Sequence, residues 1–376
     1  MYYKNMRYEK AKASTLASTH KVELPESGLV DSILMYLRAT TAADLSSLAS
    51  TNMHKHLTKI EVIANTDKIL FSLTAEEALA KAYRKIGTLP PFKQCECNSQ
   101  TQDMQIPIFF GRKYKDGKYA LDLSKWDKVE LQVTNDFTTS YITDSLSMET
   151  RLVTLEDSVE THAKFLKQWE YVATVPNKDA SYVKEKLPSS GLLRSLMIQL
   201  DPALTAVTGA CAEDPAGDNY IWKLYLKDRA LTIYDHRPRD LMRDEHMKLG
   251  IGHSAVKAYP STTKFFDLHW AEVLAAATGP VGMAGANLPA GIDDNRDRFQ
   301  NLTYIGNTVT MCQVKAMGIG LFHTFEIPFY DKDEETEYFN LASYTPVETE
   351  IYAHKDDFTY RVILEKPIGQ GPSEFA

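Results

Sequence analysis

The chain has 376 residues, of which 44% are hydrophobic and 24% are charged, and its formal net charge is −8 at pH 7. This length exceeds what one compact core usually supports and suits two domains. The acidic balance argues against binding of nucleic acid over the whole surface, and no window approaches the roughly 18 consecutive apolar residues of a membrane-spanning helix.

The first 20 residues differ in charge from the rest of the chain. They contain Lys4, Arg7, Lys10 and Lys12 against Glu9, and they lack the apolar core of a signal peptide. Such a segment is either a solvated terminus or an attachment to an anionic surface, such as lipid headgroups or nucleic acid. Residues 1–20 are accordingly predicted to form an N-terminal arm.

Four cysteines are few for this length, and two of them, Cys95 and Cys97, are separated by a single residue. That spacing is too short for an ordinary disulfide and differs from the C-x-x-C of zinc and redox sites. The sequence therefore predicts no disulfide framework and synthesis in a reducing cytoplasm.

An internal repeat organises the chain. The segment "LPESGLVDS" at 24–32 agrees with "LPSSGLLRS" at 187–195 in six of nine positions, at an offset of 163 (187 − 24). Each copy continues as a strand-like segment, a short polar break, a second strand-like segment and a helix that ends in glycine. The two glycines, Gly87 and Gly250, are separated by the same offset of 163 (250 − 87). Order and spacing together predict a duplication.

The two helices have recognisable ends. Thr74 and Glu77 form the pattern of a capping box at the start of the first helix, and Gly87 suits its C-terminal end. In the second helix Pro238 stands where a first-turn proline is favourable, and Gly250 closes the segment.

A third pair of segments shows that the copies differ in length. "IPIFF" begins at Ile106 and "IPFY" begins at Ile327, an offset of 221 (327 − 106), so the second copy contains about 58 more residues before this block (221 − 163). Loops tolerate such insertions at small cost in free energy. Residues 251–311 are therefore predicted to form a long exposed loop insertion.

Short alternating strands with turn residues between them predict an all-β fold made of two tandem jelly rolls. Each is expected to be an eight-stranded antiparallel β-sandwich with one short helix in a loop. The predicted boundaries are 21–156 for the first jelly roll, 157–180 for a linker with the start of the second barrel, and 181–372 for the second jelly roll.

One recurring motif resembles that of a known family, the double jelly-roll major capsid proteins. These occur in icosahedral phages and archaeal viruses with an internal membrane and in large eukaryotic DNA viruses. The motif is an Ile-Pro pair, two aromatic residues, a short loop, Leu-x-Leu and a further aromatic residue. In this chain it is formed by Ile106, Pro107, Phe109, Phe110, Leu121, Leu123 and Trp126.

The resemblance implies a structural protein without enzymatic activity, catalytic residues or cofactors. It implies a homotrimer with six similar lobes that contacts neighbouring capsomers, vertex or penton proteins and minor capsid proteins in the virion. The loops at 251–311 would form a tower, and the arm with Lys4, Arg7, Lys10 and Lys12 would face the internal membrane. Sequence-specific binding of nucleic acid is not expected.

Two alternatives of other classes stay open. His54, His56 and Glu61 have the spacing of a cupin metal motif, which predicts a bicupin-like metalloenzyme, but the flanking glycines and the later ligand segment of that motif are absent. The other alternative is a β-sandwich protein that binds or cleaves carbohydrate.

The segment Asp293–Asp297 begins like a calcium loop, yet Arg298 and Tyr304 stand where that loop needs glycine and glutamate. The EF-hand geometry is therefore excluded, and no metal ligand is assigned in the capsid interpretation, while a looser calcium site in this loop stays open as an alternative.

Overall fold

The structure is a computed structural model of the chain. It describes residues 2–42, 53–96, 99–139, 142–143, 146–156, 164–174, 182–202, 221–229, 231–250, 252–258, 270–280, 312–344, 346–353 and 358–375. Two compact units divide the chain. The first is Met1–Trp169 with Lys257–Tyr259 and Pro367–Ala376, and the second is Glu170–Val256 with Pro260–Lys366.

The first unit contains ten strands and one α-helix within its described part. They are β1 (Tyr2–Ser14), β2 (Thr19–Glu23), β3 (Leu29–Thr40), β4 (Lys59–Ala64), β5 (Lys68–Leu73), α1 (Ala75–Ile86), β6 (Phe92–Glu96), β7 (Thr101–Phe109), β8 (Leu121–Asp122), β9 (Val129–Thr134) and β10 (Leu146–Glu156). A short 3-10 helix, Leu123–Lys125, follows β8, and strand β11 (Lys164–Thr174) begins in this unit and ends in the second.

Two antiparallel sheets form the first sandwich. One has the order β1-β10-β3-β7 and the other the order β2-β9-β4-β5. Alternate residues of β3 point to the core, where Ile33, Met35 and Leu37 are at most 2% exposed. In β9 the same alternation buries Val129, Leu131 and Val133, and this places one face of each sheet in the core.

The second unit repeats this plan. Its elements are β12 (Val183–Lys186), β13 (Leu192–Leu193), β14 (Ser195–Pro202), β15 (Ile221–Asp228), β16 (Leu231–His236), α2 (Pro238–Leu249), β17 (Gly252–Ala258), β18 (Trp270–Pro280), β19 (Cys312–Leu321), β20 (Thr324–Pro328), β21 (Phe339–Asn340), β22 (Val347–Ala353) and β23 (Phe358–Gly369). Further 3-10 helices of this unit span Glu335–Glu337 and Leu341–Ser343, while Pro372–Phe375 forms a 3-10 helix in the part of the chain that returns to the first unit.

Strand order confirms the predicted tandem fold. In the second unit the sheets contain the four-strand segments β11-β23-β14-β20 and β12-β22-β15-β16, and β6, β8, β17, β18 and β19 lie outside the segments compared. The two segments correspond strand for strand to β1-β10-β3-β7 and β2-β9-β4-β5, so each sandwich has eight strands in the same topology. Helix α1 follows β5 and helix α2 follows β16, at equivalent places in the two copies.

Backbone hydrogen bonds repeat between the copies as well. The matching pairs are Leu24 N–Val129 O (2.8 Å) with Leu187 N–Val347 O (2.9 Å), Leu123 N–Gly28 O (3.0 Å) with Leu341 N–Gly191 O (3.0 Å), and Gly87 N–Tyr83 O (2.7 Å) with Gly250 N–His246 O (2.8 Å). Gly28 and Gly191 both have positive φ, 127° and 88°, which explains why the repeated motif contains glycine at this turn.

The helix ends are largely as predicted. The Thr74 hydroxyl accepts a hydrogen bond from the backbone N–H of Glu77, and the Glu77 carboxylate accepts one from the backbone N–H of Thr74, which completes the capping box of α1. Pro238 opens α2, but the N-cap residue, Arg237, makes no side-chain capping bond. In the described part of the chain, no helix has the length and apolar character needed to cross a bilayer.

Three segments are defined in more detail than the sequence-based expectations. Residues 2–14, expected as part of an arm, form β1 and pair with β10 along most of their length. Residues 164–174, expected as linker and start of the second barrel, form β11, which lies beside β23 in its sheet and also pairs with β5 at Gln168 and Trp169. The predicted loop at 251–311 contains β17 and β18, and β18 pairs with β19.

Candidate functional site

The motif residues that carry the family resemblance all lie in the core of the first unit. Ile106 and Phe110 are fully buried, Trp126 is 5% exposed, and the remaining four are buried too. The rings of Phe110 and Phe165 pack edge to face at 6.3 Å. The motif therefore stabilises the sandwich and exposes no side chain for a ligand.

The basic residues of the predicted arm lie on the exposed strand β1. Lys4, Arg7, Lys10 and Lys12 are all exposed, and the Arg7 guanidinium pairs with Glu149 at 2.6 Å. Contact with a membrane stays a prediction for these residues.

The cupin-like residues are not brought together around one point. His54 Nε2 lies 3.3 Å from a carboxylate oxygen of Glu76, and His56 Nδ1 lies 2.7 Å from Asp136. Glu61 pairs with Lys59 at 2.9 Å. Among the described residues, no group of three or more His, Cys, Asp or Glu side chains is arranged to hold a metal ion. The segment Asp293–Asp297 lies outside the described residues.

A loop with a buried anchor follows β7 in the first unit. We name residues 111–119 the lysine loop, because it contains four Lys or Arg residues against one Asp, a net charge of +3. The carboxylate of Asp31, which is fully buried, accepts hydrogen bonds from the backbone N–H groups of Lys115 (3.3 Å) and Asp116 (3.0 Å). Asp31 thereby fixes the loop to strand β3.

A second carboxylate holds the lysine loop from within. Asp116 is 1% exposed and accepts two hydrogen bonds from the Arg112 guanidinium, at 2.7 and 3.0 Å. It also accepts the backbone N–H groups of Arg112 and Lys118. These contacts make the loop a rigid element with its other basic side chains pointing outward.

The two carboxyl groups differ in pKa because their partners differ. Burial raises the pKa of Asp31 to about 6, and the nearby Asp116 carboxylate contributes, although three hydrogen bonds act against the change. Burial acts in the same direction on Asp116, but hydrogen bonds from Arg112 outweigh it and lower the pKa. Asp116 is therefore the firmly ionised member of the pair.

The equivalent loop of the second unit has the opposite charge. We name residues 331–337 the acidic loop, because it contains five Asp or Glu residues against one Lys, a net charge of −4. Here the anchor is Arg194, 4% exposed, whose guanidinium donates two 2.8 Å hydrogen bonds to Asp333 and one of 2.9 Å to the fully buried Glu365. Burial lowers the pKa of Arg194, but the charge of Glu365 and the bond to Asp333 outweigh this and raise it.

The acidic loop is also held from within by a carboxylate. Glu337 accepts the backbone N–H groups of Asp331 (3.1 Å), Lys332 (2.8 Å) and Glu334 (3.4 Å). Burial would raise the pKa of Glu337, yet these backbone donors outweigh it and lower the pKa. Both loops are thus built around one buried ion and one internal carboxylate.

Asp31 and Arg194 occupy corresponding positions. Both follow the repeated Leu-Pro motif by the same number of residues, and the offset between them is 163 (194 − 31). The backbone C=O of Asp31 accepts the N–H of Phe110 at 3.0 Å, and the C=O of Arg194 accepts the N–H of Phe329 at 3.0 Å. Sequence reasoning did not select these residues, although a reversal of charge inside a matched repeat was an available signal.

A groove of about 490 Å³ lies on the outer face of the sheet β1-β10-β3-β7. Its arginines are paired, Arg38 with Asp103 at 2.5 Å and both Arg7 and Arg151 with Glu149, at 2.6 and 2.7 Å. Three arginines and two carboxylates line the groove beside apolar residues such as Leu37 and Met104, so most of its charge is used in these internal pairs.

Comparisons with known proteins give a consistent result at the level of fold. No family model matches the sequence, and no curated protein matches it. The structure is similar to the MCP of Sulfolobus turreted icosahedral virus (STIV), with a TM-score of 0.60, 8% identity, and coverage of 97% of this chain and 96% of that chain. The major capsid protein of bacteriophage PM2 is similar with a TM-score of 0.55, 8% identity and 97% coverage of both chains.

The capsid of the virus PBCV-1 gives a third similarity, with a TM-score of 0.56, 7% identity, and coverage of 98% of this chain and 93% of that chain. At such identities the likeness establishes the fold, and it extends over both sandwiches. The predicted double jelly-roll fold is therefore confirmed.

Proposed function

We propose that this chain is the major capsid protein of an icosahedral virus and that its role is structural, not enzymatic. The observation that carries the proposal is the similarity of both sandwiches, over 97% of the chain, to capsid proteins of viruses with different hosts. A similarity limited to one jelly roll would not suffice, because that fold occurs in enzymes, lectins and capsids alike.

The duplicated architecture suits assembly by geometry. Three copies of a chain with two similar sandwiches present six similar lobes around a threefold axis, and such a unit packs on a hexagonal lattice. Heterologous contacts between these units then extend the lattice into a shell. We propose a homotrimer as the assembling unit, with neighbouring capsomers, vertex or penton proteins and minor capsid proteins as further partners in the virion.

The exposed basic side chains of β1 support contact with an internal membrane. Lys4, Arg7, Lys10 and Lys12 lie on one strand, and cationic side chains near an anionic bilayer each contribute about 1 kcal/mol of attraction. The attraction requires no penetration of the bilayer by the chain.

The proposal is tested by the native mass of the purified protein, measured by light scattering, followed by cryo-electron microscopy of any particles. We expect a stable species of three times the monomer mass that assembles into closed shells or flat hexagonal sheets. A persistent monomer that forms neither would contradict the capsid role.

Two further measurements separate the alternatives. One bound metal ion per chain, lost on substitution of His54 or His56 by alanine, would favour the bicupin-like metalloenzyme. Binding in a glycan screen would favour the carbohydrate-binding or carbohydrate-cleaving protein.

A further inference from the structure

The lysine loop and the acidic loop present opposite charges at corresponding positions. Lys113 corresponds to Asp331 and Lys115 to Asp333, both at an offset of 218 (331 − 113 and 333 − 115). Lys115 and Asp333 also share a left-handed backbone, with φ of 60° and 61°. The pair Lys113 and Asp331 is exposed on both loops, whereas Asp333 is half-buried and bound by Arg194, so the opposite exposed charges are those of Lys113 and Asp331.

The exposed charges are not neutralised locally. Lys113, Lys115 and Lys118 are exposed and form no salt bridge with any residue that the structure describes. Asp331 and Glu334 are exposed on the acidic loop. Each loop thus offers charged groups to an external partner, whereas the charges used for its own fold, such as Arg112 with Asp116, are internal.

Both loops are held by hydrogen bonds to side chains of their own unit. Asp31 and Asp116 hold the lysine loop, and Arg194 and Glu337 hold the acidic loop, as described above. Binding by rigid loops loses little conformational entropy, so a modest number of ion pairs suffices to contribute to affinity.

We propose that the lysine loop of one copy of this chain binds the acidic loop of a second copy. The inference rests on the proposed self-assembly and names one of its contacts. This pairing requires a closed ring of copies in which the two kinds of sandwich alternate and these loops face the ring axis, since each lysine loop then lies beside an acidic loop of opposite charge.

The same charges also favour one packing of neighbouring copies over the others. A packing that places two lysine loops or two acidic loops together is repulsive, so only alternation of the first and second sandwich is favoured.

Reversal of charge tests the pairing. The first variant carries Lys113→Asp with Lys118→Asp, the second carries Asp331→Lys with Glu334→Lys, and the third combines all four changes. Sedimentation equilibrium over a range of concentrations gives the self-association constant. We expect a decrease of at least about tenfold in each single-loop variant and recovery in the combined variant, because only the combined variant restores opposite signs.

A matched control reverses two exposed cations elsewhere, Arg243→Asp with Lys248→Asp on α2, and should leave association unchanged. Circular dichroism melts establish that every variant is folded. An unchanged association constant in both single-loop variants, or no recovery in the combined variant, would overturn the pairing.

Two other experimental outcomes show whether the loop contact alone or the proposed self-assembly as a whole is wrong. If Lys113→Asp with Lys118→Asp leaves association intact but abolishes cosedimentation with phosphatidylglycerol vesicles, the loop binds lipid and the pairing is wrong. If the unchanged protein is monomeric at all concentrations, both the proposed self-assembly and the proposed contact between the two loops are wrong. If every variant assembles as the unchanged protein does, only the contact between the loops is wrong.

Discussion

The first sandwich fixes the loop after β7 with a buried aspartate, and the second fixes the corresponding loop with a buried arginine. Asp31 accepts backbone N–H groups of a basic loop, whereas Arg194 donates to a carboxylate of an acidic loop. The backbone C=O groups of the two residues accept equivalent hydrogen bonds, from Phe110 and Phe329, and both are 3.0 Å long. The fold therefore requires a buried polar side chain with hydrogen-bond partners at this position, but the charge of that side chain can be negative or positive.

The comparison also relates a buried residue to a surface property. The loop around Asp31 has a net charge of +3, and the loop around Arg194 has a net charge of −4. Arg194 is complemented by the carboxylates of Asp333 and Glu365, whereas Asp31 is complemented by backbone N–H groups of its loop. The acidic loop therefore supplies a side chain that its buried anchor requires, while the lysine loop supplies only backbone donors and its lysines remain exposed.

The largest effect is expected at the arginine anchor. Substitution Arg194→Met leaves the fully buried Glu365 without its cationic partner, and removal of one member of a buried ion pair typically costs about 3–5 kcal/mol. We expect a loss of that size in the free energy of unfolding of the second unit, measured by hydrogen–deuterium exchange of peptides from β14 and β20.

A second change separates the ion pair from simple packing. Adding Glu365→Met to Arg194→Met removes the uncompensated carboxylate and should return much of the stability, since a well-packed apolar pair can replace a buried ion pair. A loss below about 1 kcal/mol for Arg194→Met alone would contradict the role of Arg194 as the anchor.

The aspartate anchor should instead make the first unit sensitive to pH. The pKa of Asp31 is about 6 in the fold against a usual 3.8, so the folded state holds a proton that the unfolded chain has lost between these values. Its contribution to stability is complete below about pH 4 and is lost as the pH rises through 6, a change of about 3 kcal/mol in the free energy of unfolding.

Comparison of the unchanged protein with Asp31→Asn isolates this contribution from that of Asp116, whose lowered pKa acts in the opposite direction at lower pH. The stability difference between the two proteins should decrease by about 3 kcal/mol from pH 4 to pH 7, measured by urea unfolding with exchange at β3 and β7 peptides. A difference independent of pH would show that Asp31 does not titrate in this range.

Sequence alone predicted the duplication because its signals are local and repeated. The Leu-Pro motif, the glycine at positive φ and the helix that ends in glycine recur at one offset, and each reflects a short-range requirement of backbone geometry. Strand β1 was not foreseen, since 12 of its 13 residues are at least partly exposed and its sequence lacks the alternation of a half-buried strand.

The anchors could not be predicted for a different reason. The bonds of Arg194 join residues 139 and 171 positions apart, and those of Asp31 reach 84 and 85 positions along the chain. No spacing rule connects residues at such distances. The sole trace in the sequence is that aspartate and arginine occupy the same place in an otherwise matched motif.

The smallest predicted effect concerns the two helices, which differ as the anchors do. Helix α1 has a complete capping box and eight buried residues, whereas α2 has no side-chain cap and three buried residues. Thr74→Ala removes the acceptor for the Glu77 backbone N–H and should cost about 1 kcal/mol, measured by chemical denaturation.

The converse change should stabilise the second helix. Arg237 has the extended backbone of an N-cap residue, with φ of −92° and ψ of 143°, so a serine there can accept a hydrogen bond without rearrangement. Arg237→Ser is expected to add about 0.5–1 kcal/mol and to slow hydrogen exchange in the first turn of α2. Arg237→Ala, which supplies no acceptor, is the control and should give no such protection. Equal exchange in the serine and alanine variants would mean that the start of α2 is limited by its shallow packing and not by the missing cap, and the difference between the two helices would then originate in burial alone.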